Sequence, residues 1–283
     1  MFFISIIIPI YNRSDLITRC IKSVIDQVYS KWEIVIVDDG STDKCEQAIA
    51  TFNDSRIRYV YQQNAGASVA RNNGVNHAKG NYIIFLDSDD AAEPKWLDML
   101  VKACDQNQDI VTCGFKRYNV QGNLVEEKNA ESGHALQQRY GIFLAGTYLI
   151  KKCLFLDVGA FDISLKSGHH TDLSIRLIQL INDKKISTAR INNTLVKIYD
   201  HSGEKIRSNW GSVYEGSRMI LEKNYLFMKN SDLPWLQSYY TVLAHAANAL
   251  KLRKDAIAYG WKAILTNPLT IKNWARLIRY FFT

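Results

Sequence analysis

Five cysteines in 283 residues, with no CxxC pair among Cys20, Cys45, Cys104, Cys113 and Cys153, leave the chain without zinc-site spacing or a disulfide framework. An odd scatter of this kind fits reduced, structural thiols. Neither GxGxxG nor the P-loop pattern GxxxxGK followed by Ser or Thr occurs, so the usual dinucleotide and P-loop readings lack their glycines. The opening run Phe2 to Ile10 is too short to span a bilayer, has no positive region before it and contains Pro9, so it reads as a first buried strand. A cytoplasmic protein is expected. There is no internal repeat and no low-complexity segment. Acidic charge is scarce in one place only: from Lys251 onward seven basic residues meet the single acid Asp255, giving 7 − 1 = +6 of a net +7. Nucleic-acid binding would draw on the pI near 9.0 alone, without a motif, and is set aside.

What is present concentrates at two strand ends. Tyr82-Ile83-Ile84-Phe85-Leu86 follows Gly80-Asn81 and runs straight into Asp87-Ser88-Asp89-Asp90. Such a stretch reads as a strand buried on both faces, its carboxylates emerging together at the carboxyl end. Open α/β sheets hold their ligands there. Clustered aspartates repel one another unless a cation sits among them, and all-oxygen ligation suits Mg²⁺ or Mn²⁺. Glu33-Ile34-Val35-Ile36-Val37 ends the same way in Asp38-Asp39-Gly40-Ser41-Thr42-Asp43, where Gly40 permits a tight turn and Ser41 or Thr42 can cap the next helix. One Asp-rich turn is ordinary solvated loop, but two, each closing a buried strand, point to a single acidic rim.

Helical spacing links these strands. Leu16, Ile17, Cys20, Ile21, Val24, Ile25 and Val28 share a face, with Asn12 or Ser14 as cap, and Ala48, Ile49 and Phe52 suggest a second helix. Ile57 to Tyr61 reads as a short strand, and Gly66 to Gly74 opens a small-residue helix able to pack close to a sheet. This alternation to about residue 115 predicts an α/β fold with a doubly wound, largely parallel sheet flanked by helices. Further on, the pattern predicts a strand over Asp109–Phe115, a hairpin or mobile loop from Tyr118, a strand over Gly146–Ile150 and a short helix near Lys152. A helix over Asp172–Ile181 and strands over Ile186–Ile191 and Thr194–Tyr199 follow, and from Ser212 the pattern is helical. The expected organisation is one domain over residues 1–207 and a basic helical region over 208–283.

Four blocks in this order resemble family 2 glycosyltransferases of the GT-A fold: Ser5 to Arg13, Val37 to Asp43, Asn64 to Gly80 with Ala70-Arg71-Asn72, and Leu86 to Asp90. The resemblance covers about the first ninety residues. It implies transfer of a sugar from a nucleotide diphosphate donor, a UDP-sugar, with inversion, to a glycan acceptor in surface polysaccharide or lipopolysaccharide synthesis. It further implies that Asp39 accepts from the base N3–H, that Pro9, Tyr11 and Asp38 shape the nucleoside pocket, and that Arg71 lies near the base or diphosphate. Asp87 would reach the ribose or a metal-bound water, Ser88 belongs with the donor-binding residues, and Asp89 would ligate Mn²⁺ or Mg²⁺. His201 falls where relatives carry a histidine beside diphosphate and metal, and Lys205 and Arg207 follow as phosphate candidates. Tyr148, Asp162 and Trp210 are weaker candidates for acceptor contacts.

One block departs from the pattern. Inverting transfer needs a group to take the acceptor hydroxyl's proton, and in this family that is commonly an aspartate. In Lys166-Ser167-Gly168-His169-His170-Thr171-Asp172-Leu173-Ser174-Ile175-Arg176, aligning Asp172, Leu173 and Arg176 puts His170, read here as a loop residue, at the aspartate's position. Imidazole titrates near neutrality, so His170 can serve as base. Asp172 serves if the register shifts; otherwise the protein is a catalytically impaired nucleotide-sugar-binding protein, or His169 and His170 have a structural or metal role.

At the end of the chain Ile271, Trp274, Leu277, Ile278, Phe281 and Phe282 share a helical face, with Lys272, Arg276 and Arg279 opposite. The pattern is that of a helix in a membrane interface, and its alternative is a terminal helix packed on its own protein. A polyprenyl-diphosphate-linked acceptor would call for a peripheral place on the inner face of the cytoplasmic membrane.

Overall fold

The computed structural model describes residues 2–104, 108–132, 139–183, 186–201 and 209–282. They form two compact units, the first over residues 2–132, 139–163 and 173–201, the second over 164–172 and from 209 onward.

In the first unit one mixed sheet gathers β1 (Ile4–Ile10), β2 (Trp32–Asp38), β3 (Ile57–Tyr61), β4 (Tyr82–Phe85), β5 (Ala91–Ala92), β6 (Ile110–Tyr118), β7 (Leu124–Lys128), β8 (Tyr148–Lys151) and β9 (Thr188–Tyr199). Their order is β3-β2-β1-β4-β8-β6-β9-β5, with β7 hairpinned onto β6. β3, β2, β1 and β4 run parallel, β8 enters antiparallel between β4 and β6, and β6 and β9 again run parallel. The helices are α1 (Ser14–Ile25), α2 (Cys45–Ala50), α3 (Ala67–His77), α4 (Trp96–Cys104), α5 (Lys152–Asp157) and α6 (His169–Asp183), of which residues 169–172 belong to the second unit.

Alternation along the strands divides the core. Ile6, Ile8, Ile34, Ile36 and Ile84 cluster with Ile17, Cys20, Ile21 and Val24 of α1 and with Trp96, Leu97 and Leu100 of α4. On the other face Phe85 packs against Tyr148, Phe155 and Phe161. Burial on both faces is why β4 reads as an unbroken apolar run and why β1 and β2 are interrupted only by Ser5 and Glu33 before the acidic end of β2, rather than alternating.

Local details differ from the sequence reading. Neither Asn12 nor Ser14 caps α1; Asp43 instead accepts from Ser14 N at 2.9 Å and from Cys45 N at 3.1 Å, serving the starts of α1 and α2 where Ser41 or Thr42 was expected. The two strands expected around residues 186–199 are one strand, β9, whose register against β6 shifts between Thr112 and Phe115, so the polar Asn192-Asn193 marks an irregularity rather than an end. His169 and His170 open α6 rather than lying on a loop.

The second unit contains α7 (Trp210–Ser231), α8 (Leu233–Ala249), α9 (Arg253–Thr266) and α10 (Ile271–Phe282). Asn209 caps α7 by accepting from Ser212 N, and Asp232 caps α8 by accepting from Trp235 N. Gln237 Nε2 donates to Ala263 O, Asn267 O and Thr270 Oγ1, each at 3.1 Å, tying α8 to the α9–α10 turn. Leu277, expected on an outward face, is instead buried together with Asn273 and Tyr280, and a Cβ at Gly260 would come within 2.8 Å of Leu277.

Gly74 on α3 shows how close the helix lies to the sheet. A Cβ there would stand 2.4 Å from Ile7 Cγ2 and 3.1 Å from Val37 Cγ2. Ile7 is fully buried and β-branched, with little rotamer freedom to yield. Overpacking of this kind costs about 1–3 kcal/mol, more than the roughly 1 kcal/mol that alanine gains over glycine in a helix. Gly74→Ala should therefore lower the urea midpoint, and an unchanged or raised midpoint would show that the contact relaxes freely.

Candidate functional site

Parallel pairing sets Ile10 beside Asp38 and Ile7 beside Phe85, so β1, β2 and β4 end on one rim. Past the strands, Asp39 N donates to Ile10 O at 2.9 Å and Leu86 N to Ile7 O at 3.0 Å. The two acidic runs thus leave the sheet side by side. Asn12, at a φ of 49°, joins the β1 end to the β2 turn: its N donates to Ser41 Oγ at 3.0 Å and its Oδ1 accepts from Thr42 N at 2.8 Å. Gly40 has a φ of 79°, and a Cβ there would meet Asn64 N at 2.8 Å, so the turn requires glycine.

Asp38 and Asp39 are almost fully buried, and hydrogen bonds carry their charge. Asp38 Oδ1 accepts from Ser41 N and Oδ2 from Tyr59 OH, both at 2.7 Å. Asp39 Oδ1 accepts from Gln62 Nε2 at 2.7 Å and Ala65 N at 2.8 Å, and Oδ2 from Gly66 N at 2.8 Å. Asp39 therefore fixes the path of the loop between β3 and α3. Pro9 is half-buried beside Val37 at the β1 end, and Tyr11, just beyond, is 48% exposed.

On the β4 side one carboxylate oxygen from each of Asp87, Asp89 and Asp90 lies within 4.8 Å of the others. Arg71, buried on α3, donates from Nη2 to Asp87 Oδ1 at 2.6 Å. His201 Nε2 lies 2.8 Å from Asp89 Oδ2. Asp90 Oδ1 accepts from Tyr199 N at 3.0 Å. Burial, and then the charge of Asp87, raise the Asp89 carboxyl above its ordinary range, with His201 acting against them. Burial pushes Asp90 well above, helped by Asp89 and Asp87. A hard divalent cation fits this set: the ligands are oxygens, and the raised carboxyls mark the electrostatic deficit that a cation would remove.

Arg71 thus meets the cluster at Asp87 and His201 meets it at Asp89. Ser88 is buried within it. Lys205 and Arg207 lie outside the described residues. His170 and Asp172 stand in the first turn of α6, within the second unit, and Asp172 is 2% exposed. Tyr148 is a core residue packed between Phe85 and Phe143, which removes it as an acceptor contact. Trp210 is an exposed ring set edge-on to His245. Three residues escaped the sequence reading. Gln62 donates to Asp39. Arg19 of α1 donates to Asp89 O and lies 3.8 Å from the centre of the Tyr199 ring, which itself stacks on Tyr118. Arg19 and Tyr199 have no motif to announce them.

A family-wide sequence profile described as Glycosyl transferase family 2 matches residues 5–159. The glycosyltransferase GlyA of Streptococcus pneumoniae serotype 4 is 41% identical over 119 residues, covering 41% of this chain and 17% of its own. EpsJ of Bacillus subtilis strain 168, an uncharacterized glycosyltransferase, is 35% identical over 54% of this chain and 48% of its own. The chain thus spans less than half the length of these two relatives. The uncharacterized glycosyltransferase RP339 of Rickettsia prowazekii is 31% identical over 85% of this chain and 84% of its own. Among solved structures, TarS 1–349 of S. aureus, in complex with UDP-GlcNAc, superposes with a TM-score of 0.67 at 20% identity, covering 99% of this chain and 89% of that one. That likeness carries the GT-A fold.

The raised carboxyls give a pH dependence of definite sign. Between the ordinary carboxyl value of 3.8 and the raised folded value, the native state holds more protons than the unfolded chain. Stability therefore falls as pH rises through that window and stays lowered above it. Asp90→Asn, which keeps an acceptor for Tyr199 N, should raise the metal-free urea midpoint at neutral pH and flatten this decline. An unaltered pH profile would show that the cluster is already relaxed by solvent.

Proposed function

The chain belongs to glycosyl transferase family 2, and from that premise we propose that it moves a sugar from a UDP-sugar to a hydroxyl of a glycan acceptor in polysaccharide synthesis, with inversion at the anomeric carbon. The observation that carries this reading is the pairing, on one rim of parallel strands, of a buried Asp38–Asp39 turn with the Asp87–Asp89–Asp90 cluster. UDP-GlcNAc and UDP bound to TarS support a uridine donor.

Asp39 spends three hydrogen bonds on Gln62, Ala65 and Gly66, and the remaining lone pair of Oδ2 accepts from uracil N3–H. Pro9, Tyr11 and Asp38 wall the nucleoside. Arg71 holds Asp87 in one orientation towards the ribose. Asp87 and Asp89, with His201 alongside, would hold Mn²⁺ or Mg²⁺. Such an ion supplies Lewis-acid stabilisation to the departing diphosphate. His170 takes the proton of the attacking hydroxyl, with Asp172 as the alternative carrier. Burial does not separate the two: Asp172 is 2% exposed, and both ring nitrogens of His170 are buried. Because an aspartate is commonly found at that position, the second reading is a nucleotide-sugar-binding protein without turnover.

The acceptor in this reading is a glycan on a polyprenyl diphosphate, reached at the inner face of the cytoplasmic membrane. Among the described residues no helix is long and apolar enough to cross a membrane.

Calorimetry with UDP should show binding that needs both Mn²⁺ and Asp89, lost in Asp89→Asn. No UDP binding under any condition would overturn the uridine assignment. His170→Ala should lower turnover by about 10²–10⁴-fold, the usual contribution of a general base, with UDP affinity unchanged. Unaltered turnover in that variant would move the proton to Asp172, and no turnover in the wild type with intact UDP binding would favour the second reading.

A further inference from the structure

The second unit exposes an apolar surface that its own helices do not cover. α10 turns Asn273, Leu277 and Tyr280 inward, each almost fully buried. Its residues one position on, Trp274 and Ile278, together with Ile271, face outward, Ile271 at 81% and Ile278 at 59% exposure. Positions 271, 274 and 278 recur at helical spacing and so form one stripe. On α9, Trp261 and Leu265 form a second stripe, one turn apart, with Leu265 at 76%. The two stripes adjoin: the rings of Trp261 and Trp274 meet edge to face with centroids 6.0 Å apart. Leu269, in the turn between the helices, is 89% exposed. Trp274 Nε1 donates to Pro268 O at 2.9 Å, which holds the indole in place with its polar atom satisfied. Six large apolar residues in one patch are more than scattered surface exposure accounts for.

Charge says what covers it. After Asp255 the sequence has no acidic residue, while Lys262, Lys272, Arg276 and Arg279 all follow it. On α10, helical spacing sets Lys272, Arg276 and Arg279 together beside the apolar stripe, on its side away from Leu277. Long cationic side chains on the flank of such a stripe can reach headgroup phosphates while the stripe enters the acyl boundary. A second copy of this chain would bring like charge against like.

We propose that this two-helix patch, Trp261, Leu265, Leu269, Ile271, Trp274 and Ile278 with its basic border, is a docking surface for an anionic phospholipid membrane. It names the means by which the protein holds the surface where the acceptor is proposed to lie, and it rests on that reading only for its purpose. The patch differs from the face visible in the sequence, since Leu277 is withdrawn from it and α9 contributes two of its residues.

The test is flotation of the full chain with phosphatidylcholine vesicles, with and without phosphatidylglycerol. Binding is expected to anionic vesicles and to weaken with salt. Ile271→Ser with Ile278→Ser should reduce it by about tenfold or more, and Lys272→Gln with Arg279→Gln by about fivefold for each charge removed. All four substitutions lie on exposed positions, so the urea midpoint and UDP calorimetry should match the wild type. Absence of flotation, or flotation undiminished in the serine variant, overturns the proposal. So does a wild-type dimer that becomes monomeric in the serine variant without lipid binding, which would assign the patch to a second copy. UDP binding reads the donor chemistry separately, so either idea can fail alone.

Discussion

Mutual repulsion among Asp87, Asp89 and Asp90, held at the mouth of a strand that is buried on both faces, governs the surroundings in the first unit. Each neighbour answers part of it. Arg71 is itself almost fully buried, and its ion pair with Asp87 constrains both partners. His201 lies against Asp89, the β9 backbone donates to Asp90, and Arg19 reaches the Asp89 carbonyl from α1. Even so, Asp89 and Asp90 stay raised, first by burial and then by the charge of the neighbouring carboxylates. One oxygen from each of the three aspartates lies close enough to the others to hold a cation.

Holding such a rim requires that the strands not slip, and polar bonds pin them at both ends. At the amino end Ser5 Oγ donates to Glu33 Oε1 at 2.6 Å, the same oxygen accepts from Lys79 N at 2.6 Å, and Gly80 N donates to Ser5 Oγ at 2.8 Å. β1, β2 and the entry to β4 are thereby locked through one buried carboxylate. At the carboxyl end Asn12 and Asp39 tie the β1 end to the β2 turn and the β2 turn to the loop before α3. A one-residue slip in any of these strands would turn its carboxylates from rim to core. The apolar runs supply the driving force for burial, while these polar contacts choose the register that places the acids.

The parts legible in the sequence were those written in a single segment. A buried strand ending in aspartates announces both its burial and its ligand end, so β1, β2, β4 and the acidic rim could be placed from residue order alone. Arg71 and His201 were singled out only through family resemblance, and nothing in their own neighbourhoods announces their contacts with Asp87 and Asp89. Gln62, Arg19 and Tyr199 were not legible at all: each meets an aspartate, or supports a residue that does, across separations fixed by the crossovers and not by any local pattern. The antiparallel insertion of β8 between β4 and β6 was invisible for the same reason, because a four-residue strand carries no record of its partner. The irregularity in β9 misled in the opposite direction, since its asparagines look like a strand end when only the register changes.

In the second unit periodicity identified the helix but not its buried side. The apolar positions of α10 span more than half its circumference, so the sequence allows several choices of inward face. Gly260 makes the choice: lacking a side chain, it opens a gap on α9 that Leu277 and Tyr280 fill, and any larger residue would press on Leu277. Once those two residues turn inward, helical geometry leaves Ile271, Trp274 and Ile278 outside. The exposed apolar stripe is thus a consequence of packing already satisfied elsewhere on the helix, and burying it on α9 as well would require rotating Leu277 and Tyr280 out. A helix with two apolar faces, one consumed by its own unit and the other bordered by cations, has a surface left over for something outside the unit.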